Sequence, residues 1–194
     1  LWEPAADVES YVLSVSGQET KREAFTGIEF AQDDGKTEGD ALLIVGEVIN
    51  RSGGPASNVR IAATIFDRED RIIDVGLGYA ERDIFVRGSV SPFALTIDEV
   101  NGEPERYELI AYGERAQDDK LERLADIELG STHYLVDASD HPILVGEVAN
   151  VGERNATSIK VFASFYDREG TLVDTAWSYI WAAVLEPSAK SPFD

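Results

Sequence analysis

The sequence predicts an all-β protein made of antiparallel sandwiches in tandem, and three observations carry that expectation. Residues 45–93 return one hundred residues on as 145–193, in register and without a gap, and a tandem repeat of that period means two copies of one domain. The apolar segments are short, β-branched and rich in aromatics, with Gly, Asn, Asp and Pro clusters between them. That is the pattern of a sandwich of hairpin-linked strands. Helical periodicity is nearly absent.

Taken in order, the pattern places strands at 41–49, 58–66, 72–79 and 93–97, with counterparts at 143–149, 158–166 and 172–181. Alternation sets their faces. Val59, Ile61, Ala63 and Ile65 point one way while Arg60 and Thr64 point the other, and Ile159, Val161, Ala163 and Phe165 do the same against Lys160 and Ser164. Ile61 and Val161 are therefore expected at equivalent buried sites. D-R-E at 67–69 and 167–169 marks a tight hairpin after the second strand, with Gly170 suited to positive φ. V-G-E-V-x-N at 45–50 and 145–150, and S-P-F at 91–93 and 191–193, are the other shared motifs.

The closing strand of the first copy is Y-E-L-I-A-Y-G-E at 107–114. Its nearest likeness is Y-V-L-S-V-S-G-Q at 11–18, ahead of the first copy, and the second copy reaches Ser191-Pro192-Phe193-Asp194 with no such strand after it. One copy of the pattern is thus divided between the two ends. The expected organisation is an N-terminal segment with a donor strand (1–18), a first domain (19–115) and a second domain lacking its own closing strand (116–194). The charged stretches 18–25 and 116–125 are read as connectors, the latter with a helical turn. The chain contains no Met and opens mid-pattern, as expected of one that has lost a leader or was cut from something longer.

Composition narrows the function. A length of 194 residues with 43% hydrophobic content supports two modest cores. The net charge of -20 repels nucleic-acid phosphate and anionic lipid, so no nucleic-acid partner is expected. No apolar run approaches the ~20 residues of a membrane span.

With G-E-V-x-N, a β-branched strand ending in an aromatic and Asp, a D-R-E hairpin and a late S-P-F in hand, the repeats resemble the FxLYD domain family of prokaryotic surface and secreted proteins. Ala163-Ser164-Phe165-Tyr166-Asp167 is the nearer match to the naming motif, with Phe162 beside the position of its leading Phe, and Ala63-Thr64-Ile65-Phe66-Asp67 is looser. The resemblance covers both repeats and implies two tandem immunoglobulin-like antiparallel β-sandwiches, exported, without enzymatic role or cofactor.

The residues themselves suggest no catalysis. His133 and His141 are the only histidines, Cys is absent, and no G-x-S-x-G, H-E-x-x-H or P-loop pattern occurs. His133 reads as a solvated turn residue. The acidic run 33–40 could offer Ca²⁺ its oxygens, yet Lys36 sits inside it and the second copy has lost most of the acids, so it reads as a solvated hairpin loop with no metal. Trp177, Tyr179 and Trp181 alternate along one strand face, a row that builds a core, a partner interface or a glycan platform. Asn50 and Asn155 head N-x-Ser/Thr triplets that would accept glycans in an exported chain. Tyr11, Leu13 and Val15 form one face of the N-terminal strand, with Val12 on the other, and are the expected subunit contact.

These readings converge on a non-enzymatic extracellular or cell-surface protein that self-associates, its N-terminal strand completing the second domain of the next copy in a head-to-tail filament. A surface module that binds a glycan or a protein is the alternative.

Overall fold

The structure is a computed structural model that describes residues 10, 12–21, 25–117, 121, 125–136 and 142–194. The strands among them pair antiparallel throughout. In the first repeat, β1 (Ile28–Glu38), β2 (Ala41–Asn50) and β6 (Val90–Ile97) make one sheet in the order β1-β2-β6. Facing it, β3 (Ala56–Phe66) has β4 (Ile72–Tyr79) on one edge and β7 (Arg106–Arg115) on the other, and its first residues pair with the short β5 (Ile84–Phe85). The alternating apolar residues meet between the sheets: Ile44, Val48, Ile61, Ile65, Phe85 and Phe93 are wholly buried, with Tyr107, Leu109 and Ala111 of β7 packed against them.

The second repeat builds β8 (Ile127–Val136), β9 (Pro142–Asn150) and β14 (Lys190–Phe193) in the order β14-β9-β8. Two antiparallel pairs accompany it, β10 (Ala156–Thr157) with β13 (Val184–Leu185), and the hairpin of β11 (Lys160–Tyr166) with β12 (Leu172–Tyr179). Its core is smaller, with Val148, Ile180, Leu185 and Phe193 buried and Ile127, Ile159 and Val161 packed partly against them.

The shared motifs have structural jobs. Phe93 lies across Gly46, and a Cβ built on Gly146 would sit 2.5 Å from the Phe193 ring, so the Gly of V-G-E-V makes room for the Phe of S-P-F. Asn50 donates from Nδ2 to the carbonyls of Phe85 and Gly54 and accepts from Ser52 N at Oδ1. Asn150 does the same with Leu185, Arg154 and Gly152. Each Asn ties its loop to a strand that would otherwise leave buried carbonyls without donors. Asp67 and Asp167 each accept two backbone N–H groups of their turns. The turns close with Asp70 (φ 57) and Gly170 (φ 83) in the left-handed region.

Several boundaries depart from expectation. The run 33–40 is largely strand, because β1 pairs with β2 as far as Glu38 opposite Ala41 and only Gly39 and Asp40 turn. An outer strand needs backbone pairing more than side-chain burial, so acidic residues are tolerated there. The strand expected at 158–166 is interrupted at Ser158 (φ 54), leaving β10 and β11, and Asn58 (φ 51) makes the same break in register within β3. His133 lies within β8, opposite Val145, instead of in a turn. His141 and most of the expected helical turn fall outside the described residues. Ile61 is buried as expected, whereas Val161 is only half-buried, for a reason found at the open edge of β11.

Candidate functional site

In the first repeat both edges of β3 are occupied. On the β7 side Tyr107 stands opposite Ile65, Leu109 opposite Ala63 and Ala111 opposite Ile61. In the second repeat β11 pairs with β12 on one edge and, among the described residues, with no strand on the other. Between β9 and β14 on one side and β11 and β12 on the other lies an open groove of about 410 Å³, its lining including Ile143, Val161, Ala163, Phe165, Ala176 and Phe193. Val161 is half-buried because it borders that groove. A strand edge with unpaired backbone groups above an apolar trough is a template for another strand.

The segment matching β7 is on view elsewhere. Residues 12–21 are in no strand or helix, and Val12, Leu13 and Val15 are 95%, 85% and 99% exposed. Tyr11, the fourth residue expected at the contact, lies outside the described residues. Aligned on β7 in sequence, Leu13 matches Leu109 and Val15 matches Ala111, whose partners Ala63 and Ile61 correspond to Ala163 and Val161.

A second contact, which sequence reasoning missed, joins the two repeats through their outer faces. Glu47 and Val45 point away from the first core yet are only 8% and 2% exposed, because the β11–β12 hairpin covers them. Ser164 Oγ and Tyr166 OH donate to Glu47 Oε1 at 2.7 and 2.8 Å, and Gln32 Nε2 donates to Oε2 at 3.2 Å. Lys160 pairs with Glu81, Arg82 stacks on Phe162 at 4.6 Å, and Lys36 Nζ donates to the Val173 carbonyl at 2.7 Å. Burial, and then the bond to Glu47, raise the Tyr166 pKa above its ordinary value. The available signal was Glu47 itself, an acid inside an apolar strand.

Trp177 and Tyr179 lie on this same outer face of β12, and their rings meet edge to face at 5.7 Å and 79°. Lys160 Nζ sits 4.1 Å over Trp177, so the pair does not present a flat stacking platform. Trp181 lies beyond β12, is 71% exposed, and donates from Nε1 to Asp194 Oδ1. Of the two glycosylation triplets, Asn155 is exposed in a loop. Asn50 is fully buried with its amide engaged, which puts it out of reach of modification in the folded molecule. Among the described residues no cluster of three His, Cys, Asp or Glu is arranged to hold a metal, and no helix is long and apolar enough to cross a membrane.

The fold thus defines an all-β protein of antiparallel, sandwich-like sheets. Comparison with protein-family models, curated proteins and solved structures finds no match to the chain.

Proposed function

We propose that the chain is a non-enzymatic extracellular structural protein, the subunit of a surface filament assembled head to tail by donor-strand complementation. In this reading both repeats are immunoglobulin-like sandwiches of the FxLYD type, and residues 11–18 of one subunit occupy the β11 edge of the next. The observation that carries it is the pairing of an open, apolar strand edge in one repeat with an exposed apolar segment whose sequence matches the strand filling that edge in the other. Burying Leu13 and Val15 contributes about 1.5–3 kcal/mol each, and the new ladder supplies backbone hydrogen bonds along its length. Donor and acceptor are different surfaces, so the contact is heterologous and propagates unless it closes into a ring.

The full-length chain at high concentration should form polymers by electron microscopy and sedimentation. Leu13→Asp with Val15→Asp should leave folded monomers, and a synthetic 11–18 peptide should bind them and restore the burial of Val161. A stable monomer of the unsubstituted 194-residue chain that ignores the peptide would overturn the reading in favour of completion by residues following Asp194.

A surface-binding role is the second reading, favoured only by the exposed Trp181 indole. Retention on insoluble polysaccharide, lost in Trp181→Ala, would support it.

A further inference from the structure

The first repeat carries an exposed, largely apolar face that, among the described residues, neither its core nor the rest of the chain covers. On the outer side of β4, Val75, Leu77 and Tyr79 are all exposed, and across β3 the exposed Ile110 and Tyr112 of β7 extend the row. Arg60 stands between Tyr79 and Tyr112, and Ala62 between Leu77 and Ile110. A patch of this extent on a sheet is an interaction surface.

Its occupant can be read from the chain itself. Offset by one hundred residues, Thr64, Val75 and Leu77 become Ser164, Thr175 and Trp177, on the face with which the second repeat covers the first. The surface so covered is the outer side of β2, where Val45 and Glu47 are buried. The corresponding surface on the second repeat, the outer side of β9 with Val145 and Glu147, is left open: Val145 is only half-buried, and the Glu147 side chain is 42% exposed, paired with Lys190 at 2.6 Å. Among the described residues the first repeat therefore has the outer face of β3–β4–β7 free and the second the outer side of β9.

Resting on the donor-strand reading, we infer that the outer face of β3–β4–β7 of each subunit docks on the outer side of β9 of the preceding one, reproducing between subunits the contact that joins the two repeats within a chain. The connectivity agrees. Within the chain β7 completes the first repeat and leads through 116–126 to β8 of the repeat docked upon it; between chains the donor strand completes the second repeat and leads through 19–27 to β1 of the repeat that docks there. The filament is then a string of quasi-equivalent repeats in which covalent and donated links alternate. Equivalence is chemical in part: Phe66 lacks the hydroxyl of Tyr166, and Ala62 and Ala182 stand where Phe162 and Arg82 stack. Thr64 keeps the hydroxyl that Ser164 offers Glu47, now aimed at Glu147, and the Lys160–Glu81 pair is replaced by Arg60 and Trp181, a guanidinium and an exposed indole suited to stacking.

Because the protein has no cysteine, introduced thiols report this contact alone. Full-length Thr64→Cys and Glu147→Cys chains are mixed, allowed to assemble and treated with a short bis-maleimide, with the double variant Glu47→Cys, Ser164→Cys as the intrachain benchmark. The mixture should give cross-linked dimers in the polymer fraction at a rate like the benchmark's, and neither chain alone should do so. Leu77→Asp should abolish the cross-link while leaving binding of the 11–18 peptide intact. Peptide binding without the mixed cross-link would overturn the docking and spare the donor strand. Cross-linking of Thr64→Cys chains with one another alone would also overturn it, by showing two first repeats face to face. A mixed cross-link in a chain that ignores the peptide would sustain the docking and sink the donor strand.

Discussion

Tyr166 donates its hydroxyl hydrogen to Glu47 Oε1 at 2.8 Å, so a side chain of the second repeat ends on a nearly buried carboxylate of the first. The motif V-G-E-V consequently serves two ends. Its Gly and second Val belong to the core beneath, while its Glu and first Val face the neighbouring repeat.

Tyr166→Phe should loosen that junction. It removes one of three donors to Glu47, and a hydrogen bond to a charged group is worth about 1.5–3 kcal/mol when buried, reduced to about 1 kcal/mol because Tyr166 is itself exposed. The folded Tyr166 pKa is raised, so its contribution is complete below pH 10 and is lost as pH rises through the folded value. Urea unfolding should show the parent losing stability above pH 10 by more than Tyr166→Phe does; parallel curves would count against the contact.

Ile61→Ala and Val161→Ala should differ sharply in the uncomplemented chain. Ile61 is wholly buried, and its truncation should cost about 2–5 kcal/mol through lost transfer energy and a cavity. Val161 borders an open groove, so its truncation leaves little new cavity and should cost about 1 kcal/mol or less. Once the 11–18 peptide is bound, the Val161→Ala cost should rise. Equal costs without peptide would mean that the groove is closed in solution.

Acid should unlock the first hairpin. The backbone N–H of Arg71 is the largest influence holding the Asp67 pKa below its ordinary value of 3.8, aided by the Arg71 side chain and the Glu69 N–H. A depressed carboxyl contributes stability that is present above pH 3.8 and lost as pH falls through the folded value. Asp67→Asn should flatten that part of the stability profile, as measured by urea titration between pH 2 and 5.

Asn50→Ala should be a damaging single change at the buried end of β2. It leaves the buried Phe85 carbonyl without its side-chain donor, at a cost of about 1–3 kcal/mol. On a glycosylating host, mass spectrometry should find sugar on Asn155 and none on Asn50.

Strand alternation, hairpin chemistry and the all-β class were legible in the chain because each depends on neighbours two to four residues apart. Ile61 and Ile65 could be set against Arg60 and Thr64 from period alone, and D-R-E announced its turn. The break at Ser158 and the strand character of 33–38 were not legible, since the first depends on one backbone angle and the second on pairing with Ala41–Asn50 across the sheet. The candidate donor, residues 11–18, was found from its likeness to β7, which is a property of sequence.

What sequence by itself determined is therefore the repeat, the class of fold and the likeness of residues 11–18 to β7. Tertiary structure decided the rest: that the β11 edge is flanked by an apolar groove, that Asn50 is a buried clamp, and that Glu47 meets Ser164 and Tyr166 more than one hundred residues away. The physical reason is that period and turn chemistry fix which face a side chain takes, whereas what that face meets depends on how whole sheets come together.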